Sequence, residues 1–448
     1  METALVLFNR DLRVHDQPAL AAAARAERTL PLFVFDERLL RSRLAAPNRV
    51  AFMLEALSDL DQSLRKAGGR LIVRRGDPVR EAVGLARECD AGEIHVSADW
   101  SAYARGREER LRRACEEERI GFTVHPGVTI VPPGAVTPAG GDHFKVFTPY
   151  HRAWSGLPLR EVRAKPRRLS VPAKPAPGRL PKLESLVVGR PSPRRLPGGE
   201  SEGRKRMRVF LRDGIGRYAD RRDDLAGDGA SRLSAYVRWG CVSPLELARE
   251  ASDRGGGAFV RQLCWRDFHH QVLAATPSLP RRDYRPRRDR WSRSRRALEA
   301  WREGQTGYPL VDAAMRQLSE EGFMHNRARM TVASFLCKDL YVDWRPGAWH
   351  FWDLLTDGEI ANNAGNWQWV AGTGNDTRPN RVLNPVRQAE RFDPEGRYAR
   401  RYLPELDSVP GRAIFRPWLI EGFERLDYPQ PLVDHDEAAA AFKAHREA

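Results

Sequence analysis

No apolar run in the chain approaches the roughly 18 to 20 residues that a membrane span requires. The start, "METALVLFNRDLRVHD", has no basic segment followed by a cleavable apolar stretch, so it reads as mature sequence rather than a signal peptide. A soluble protein, without membrane contact, is the expectation. Cysteine is scarce: Cys89, Cys115, Cys241, Cys264 and Cys337 are odd in number and widely scattered. That excludes a disulfide scaffold and fits reduced cytosolic thiols. No cluster has metal-ligand spacing, so no metal is expected. Internal repeats are missing too, which removes the solenoid class.

Acidic residues fall short of basic ones, 59 against 75, and leave a net charge of +16 with a pI near 10.1. Such a balance suggests a polyanionic partner, although a GC-rich genome also enriches arginine. At 448 residues the length allows about two or three domains, each with its own core.

The texture of the chain changes twice. Over residues 1–130, short apolar runs ("ALVLF", "LPLFVF", "RLIVRR", "EIHVS", "FTVHP") alternate with amphipathic stretches such as "RVAFMLEALSDLDQSLRKAG" and "PVREAVGLARE". Alternation of this kind predicts an α/β domain, a doubly wound, Rossmann-like parallel sheet with helices on both faces. A first helix is expected to open at Asp16 and Pro18. Residues 131–204 read as an interdomain connector, rich in Pro, Arg and Lys over 156–204 and laid over the surface. From 205 to 448 strand signals almost vanish, and an all-α domain is predicted. "ARMTVASFLCKDLYVDW" reads there as helical.

Tryptophan is concentrated in that helical half, where ten of the twelve lie. Core packing explains any single one. Yet several stand beside arginine or asparagine, where an aromatic face can stack a base or shield a flat cofactor. Trp367 and Trp369 fall in "ANNAGNWQWVAGTGNDTRPN", residues 361–380, whose asparagines and glycines read as a loosened polar turn. "DGASRLSAYVRWG", residues 228–240, puts Ser231 and Ser234 before a helical run, either as plain caps or as phosphate donors. "GFMHNRARM", residues 322–330, sets His325, Asn326, Arg327 and Arg329 on one helix, where a solvated basic face is the plainer reading.

Together with "VLFNRDLRVHDQPAL", "RQLCWRDFHH", "AWREGQTGYPLVDAAMRQLSEEG" and "RFDPEGRYARRYLPEL", these motifs resemble the DNA photolyase and cryptochrome family over residues 5 to about 411. The resemblance implies an amino-terminal antenna domain and a helical domain holding FAD, whose blue-light excitation drives electron transfer to a pyrimidine dimer. It also implies roles for matching positions. Tyr218, Ser231, Arg232, Leu233 and Ser234 would wrap the FAD phosphates, with Ala230 replacing a usual threonine. Asn363 would face flavin N5, Arg329 and Asp357 would form the ion pair beside the ring, and Glu359 would stand in for a usual aspartate. Trp367, Trp344 and Trp291 would relay electrons from the surface.

For the substrate, the resemblance implies a lesion turned out of the duplex and sandwiched between Trp265 and Trp369. Asn326 and Arg327 would reach it, and Met330 would border it. Gln262 replaces the glutamate of cyclobutane-dimer enzymes, a feature shared with (6-4) photolyases. Asn326 and Met330 stand where those enzymes carry histidine, which favours the cyclobutane dimer. A cryptochrome photoreceptor on the same fold and a non-photochemical flavoprotein are the alternatives. Ala104 replaces the glutamate of a folate-type site, so the expectation leans to an 8-hydroxy-5-deazaflavin antenna, or to none at all, over methenyltetrahydrofolate. The expected partner is single- or double-stranded DNA containing pyrimidine dimers, gripped by the runs at 281–296 and 384–401. A monomer in the bacterial cytoplasm, at the nucleoid when bound to damage, completes the expectation.

Overall fold

The computed structural model describes residues 2–227 and 229–447. Five strands, β1 (Thr3–Phe8), β2 (Arg28–Asp36), β3 (Ile72–Gly76), β4 (Ala91–Ser97) and β5 (Gly121–His125), form one sheet. Its order is β3-β2-β1-β4-β5, and each adjacent pair is parallel. β1, "TALVLF", is buried at all six positions. It reads as a continuous apolar run because helices cover both faces of the sheet. Those helices are α1 (Pro18–Ala23), α2 (Glu37–Leu40), α3 (Pro47–Lys66), α4 (Pro78–Glu88) and α5 (Ala102–Glu117).

Local chemistry sets their ends. Asp77 caps α4 by accepting the N–H groups of Val79 and Arg80, with Pro78 in the first turn. The opening of α1 differs from expectation: Gln17, not Asp16, caps it through Ala19 and Leu20. Asp16 is instead pinned by Arg160, whose Nη2 donates at 2.8 Å.

The connector is also more structured than its composition suggests. It contains α6 (Phe147–Ser155), with Phe147, Tyr150 and Trp154 buried. Its proline-rich part lies along the sheet: Val73 N–H donates to Pro177 O and Thr29 N–H to Ser170 O, both at 2.7 Å. β3 is an edge strand, and chain laid along it blocks pairing with another sheet. Arg70 holds the carbonyls of Pro172 and Pro175 at 3.0 Å. Proline and arginine there therefore serve sheet protection.

The remainder is helical: α7 (Glu200–Val209), α8 (Tyr218–Arg221), α9 (Ser234–Arg238), α10 (Pro244–Asp253), α11 (Gly257–Ala275), α12 (Arg295–Glu303) and α13 (Pro309–Glu321), then α14 (Asn326–Ser334), α15 (Trp344–Leu354), α16 (Ile360–Ala371), α17 (Pro385–Phe392), α18 (Arg397–Tyr402) and α19 (His435–Glu447). A single apolar core joins β1 and α3 to α9, α10 and α11. Each fully buried Leu or Phe in it contributes roughly 1.5–3 kcal/mol. A second core lies around α13, α14 and α16.

Two segments depart from their sequence reading. The run 361–380 is a turn only in its second half: α16 extends through Ala371 and stops at Gly372 in the left-handed conformation, and turns and bends follow from 372 to 380. The helix after Met330 does not run straight on, since residues 335–339 form a π turn. That turn points Lys338 at the carbonyls of Pro379 and Arg381, at 2.9 and 2.7 Å. Burial lowers the Lys338 pKa to about 8.

Candidate functional site

α16 carries three of the expected side chains within seven residues. Asn363 and Trp367, four apart, share one helical face, and Trp369 turns to another. Asn363 Nδ2 donates to Ala348 O at 2.9 Å. With the amide anchored by its nitrogen, the carbonyl oxygen is the end free to accept a proton-bearing partner. Two glycines allow this packing. A Cβ on Gly347 would come within 2.3 Å of the Trp367 ring, and one on Gly365 within 2.2 Å of His269.

α14 supplies the neighbouring wall. His325 caps it, Nδ1 accepting the Arg327 N–H at 3.2 Å, and burial lowers the His325 pKa to about 4. It is therefore neutral at physiological pH, as an acceptor must be. Arg329 grips Asp357 with two hydrogen bonds of 3.2 and 2.8 Å. This fork holds a guanidinium and a carboxylate in fixed positions, suited to a planar ring with donor and acceptor edges. Arg327 pairs with Asp223 at 2.9 Å and lies over Phe392.

The loop before α9 has the strain of a shaped site. Arg232 adopts φ +50°, which costs a non-glycine residue on the order of 1–3 kcal/mol. Its guanidinium pairs with Glu321 at 2.7 Å. Ser231 Oγ accepts the Leu233 N–H at 3.3 Å, and Leu233, not a serine, occupies the cap position of α9. Tyr218 packs edge-on against Phe259 at 5.1 Å. Asp228 lies outside the described residues. The acceptor at Asn363, the Arg329–Asp357 fork and this hydroxyl-bearing loop fit a flavin dinucleotide.

Trp265 and Trp369 meet as expected, but not as two parallel faces. Their centroids are 5.2 Å apart with planes at 88°, so a flat base pair cannot slide between them; they form a corner. Phe147 closes one face of Trp265 by stacking at 3.6 Å and 5°. Sequence reasoning missed Phe147, although "KVFTPYHRAW" is an aromatic island within a Pro/Arg-rich stretch. Trp265, Trp369, Gln262 and Met330 are half-buried and Asn326 is exposed, so the corner is open to a ligand.

The other indoles differ. Trp367 and Trp344 are 2% and 1% exposed, while Trp291 is partly open. Trp344 Nε1 donates to Asp283 at 2.9 Å. Trp301, given no role from sequence, is fully buried against Trp367, centroids 6.0 Å apart.

Glu359 has partners from both domains. Its carboxylate binds Arg10 and Arg266, each at 2.7 Å, and lies 3.1 Å from His270. Burial opposes ionisation, yet Arg266, His270 and Arg10 hold this carboxyl well below the usual range. The longer glutamate side chain reaches a second cleft, of about 200 Å³, between the two domains. That cleft opens beyond the ends of β1 and β4, where the sheet order reverses and doubly wound folds bind ligands. Phe35, Met53 and Trp352 give it apolar walls, and Tyr103 and Ala104 also line it. Burial lowers the pKa of Arg49 and Arg238, on the same walls, to about 9.

The run 281–296 is exposed at Arg288, Arg290, Arg293, Arg295 and Arg296. Among the described residues no group of His, Cys, Asp and Glu could hold a metal, and no helix is long and apolar enough to cross a membrane.

Comparison with known proteins accords with this geometry. The family profile described as DNA photolyase matches residues 4–172, and that of the FAD binding domain of DNA photolyase matches residues 259–448. The deoxyribodipyrimidine photo-lyase of Streptomyces griseus is 52% identical over 100% of this chain and 99% of its own length. A bacterial class III photolyase from Agrobacterium tumefaciens superposes with a TM-score of 0.91 at 30% identity, covering 100% of this chain and 98% of that one. An archaeal photolyase from Sulfolobus tokodaii, solved with two FAD molecules, superposes at 0.88 with 32% identity over 99% of each chain. Two family profiles on successive segments, and a relative matched end to end, establish that this chain belongs to the DNA photolyase family.

Proposed function

We propose that this protein is a light-driven carbon–carbon lyase that splits cyclobutane pyrimidine dimers in DNA with FAD as cofactor. One observation carries the reading: α16 presents Asn363 and the dry indole Trp367 on one face and the open indole Trp369 on another. A single rigid element thereby separates a cofactor side from a substrate side. Bound FAD would supply light-driven one-electron transfer.

The chain's own residues do the rest. Asn363 would offer its carbonyl oxygen to flavin N5, and Arg329, held in place by Asp357, would set its guanidinium beside the ring as a hydrogen-bond donor. Tyr218 and the Ser231–Ser234 loop take the phosphates. The corner of Trp265 and Trp369 receives a dimer turned out of the duplex, one base against each indole. Extrusion costs a few kcal/mol, less for a damaged pair, which favours the lesion over intact DNA. Gln262 can donate an amide N–H to a pyrimidine carbonyl but cannot exchange a proton. Asn326 and Arg327 contact the lesion strand, and Met330 borders the cavity. Trp367, Trp344 and Trp291 form the electron path that recharges the cofactor, buried at its inner end and partly open at its outer end.

The interdomain cleft is the proposed antenna site, for a flat deazaflavin of the 8-hydroxy-5-deazaflavin type. Ala104 on its wall removes the carboxylate that a folate would need, and Arg49 and Arg238 favour an anionic chromophore.

Illumination of flavin-loaded protein with two oligonucleotides, one carrying a cyclobutane dimer and one a (6-4) product, tests the substrate. The first should be repaired and the second left intact; repair of only the (6-4) product refutes the proposal. Gln262→Glu should keep or raise the yield on the first substrate.

A further inference from the structure

We propose that Tyr341 is a fourth relay residue, giving an electron to oxidised Trp291 and its phenolic proton to Asp289. The inference rests on the reading of Trp367, Trp344 and Trp291 as an electron path.

The two rings touch, with centroids 5.0 Å apart at 45°. This contact is built into the backbone. Ser292 N–H donates to Tyr341 O at 2.7 Å, and Ser292 and Val342 form a short parallel bridge. Tyr341 itself holds φ +50°. Packing that keeps a bulky residue in that region fixes its ring, and such strain gathers at functional positions. On its outer side the ring stacks on the exposed imidazole of His445, at 4.7 Å and 17°. Tyr341 is thus the last ring between Trp291 and the surface helix α19.

A proton acceptor is in place. The Tyr341 hydroxyl donates to Asp289 Oδ1 at 3.3 Å. The Asp289 side chain is 3% exposed and pairs with Arg446 at 2.8 Å. Its Oδ2 is buried with no hydrogen-bond partner among the described residues, leaving a lone pair to take a proton. Burial raises the proton affinity of this carboxyl, against the pull of Arg446.

Charge balance favours the transfer. Before it, the cluster holds a Trp291 radical cation, a neutral phenol and the Asp289 carboxylate. One electron moves from Tyr341 to Trp291, the O–H bond breaks, and the proton settles on Asp289. Afterwards Trp291, the tyrosyl radical and the carboxylic acid are all neutral. The Arg446 guanidinium, 6.0 Å from the Trp291 ring, repels a cation on Trp291 but not a neutral radical on Tyr341. The hole is thereby drawn away from the cofactor and slowed in its return.

Flash absorption and electron paramagnetic resonance on the full chain loaded with oxidised FAD test this. In the parent protein the tryptophan radical signal should give way to a neutral tyrosyl signal, more slowly in D2O. Tyr341→Phe keeps the ring and removes the phenol. It should abolish the tyrosyl signal, prolong the tryptophan signal and speed charge recombination several-fold. Asp289→Asn should slow tyrosyl formation. Superimposable traces from parent and Tyr341→Phe, with tryptophan radicals present in both, would overturn the inference and leave the path of three indoles standing. Absence of any tryptophan radical would overturn that path, and the fourth member with it.

Discussion

The two groups of indoles in the helical half obey different physics. Trp301, Trp344 and Trp367 are sealed in a dry core, with Trp301 and Trp367 packed against Phe351 and Trp344 held through its Nε1 by Asp283. Trp265 and Trp369 meet at right angles and stay half open. A buried, immobile ring changes its surroundings little when it loses an electron, so a dry line suits charge movement. An open aromatic face is a vacancy that only another flat group fills well, which suits a base. Two residues on α16 separate these environments.

The sharpest way to break the comparison is Trp367→Phe. Photoreduction of the bound flavin should be almost abolished, read from bleaching of its absorption band. Chemically reduced enzyme should still split dimers, because the corner is untouched. Loss of both would mean that the line and the corner are one unit.

His325 caps the helix that bears residues of both environments, so its titration should unsettle both. Its folded pKa, about 4, lies below the ordinary 6.5. The stability it contributes is therefore complete above pH 6.5 and is lost as pH falls through 4. A shift of this size corresponds to on the order of 3 kcal/mol. Burial lifts Asp267 and Asp312 to about 6, and those groups act in the opposite sense. The informative quantity is thus variant against parent. His325→Asn, which keeps a capping acceptor without titrating, should lose less stability between pH 7 and 4.5 in denaturant unfolding.

Trp265→Ala should weaken binding of dimer-containing DNA by about 2 kcal/mol, roughly 30-fold. Photoreduction should be unchanged, in the reverse pattern to Trp367→Phe. The smallest effect concerns the rim. If four to six phosphates are neutralised, log affinity falls against log salt with a slope of roughly −4 to −5. Arg288→Gln with Arg290→Gln should reduce that slope by about 2, measured by fluorescence anisotropy, without altering either set of indoles.

Much of this was legible in the sequence where one physical demand acts alone. The central strands β1 and β2 are near-continuous apolar runs because both their faces are buried, and α13 is announced by Pro309 at its start and Gly322 after its end. Legibility failed where tertiary contacts override local preference. The asparagines and glycines of α16 argue for a turn, yet Gly365 is there to admit His269, and the helix is held by packing. The stacking of Phe147 on Trp265 joins residues more than a hundred positions apart, so the aromatic island around Phe147 gave no sign of its partner. The ion pair of Glu359 with Arg10 was equally hidden, since its counter-charge comes from the other end of the chain. The role of the prolines in the connector became visible only beside the sheet edge they cover.

The central claim is that these two environments flank one flavin and act together on a pyrimidine dimer. Purified protein, saturated with FAD and reduced, is mixed with an oligonucleotide bearing a single cyclobutane dimer, and intact pyrimidines are counted after blue light and after darkness. The account predicts restoration in the illuminated sample alone, following the absorption of the bound chromophores. A polypeptide that takes up no FAD, or dimers that persist under light, would contradict it.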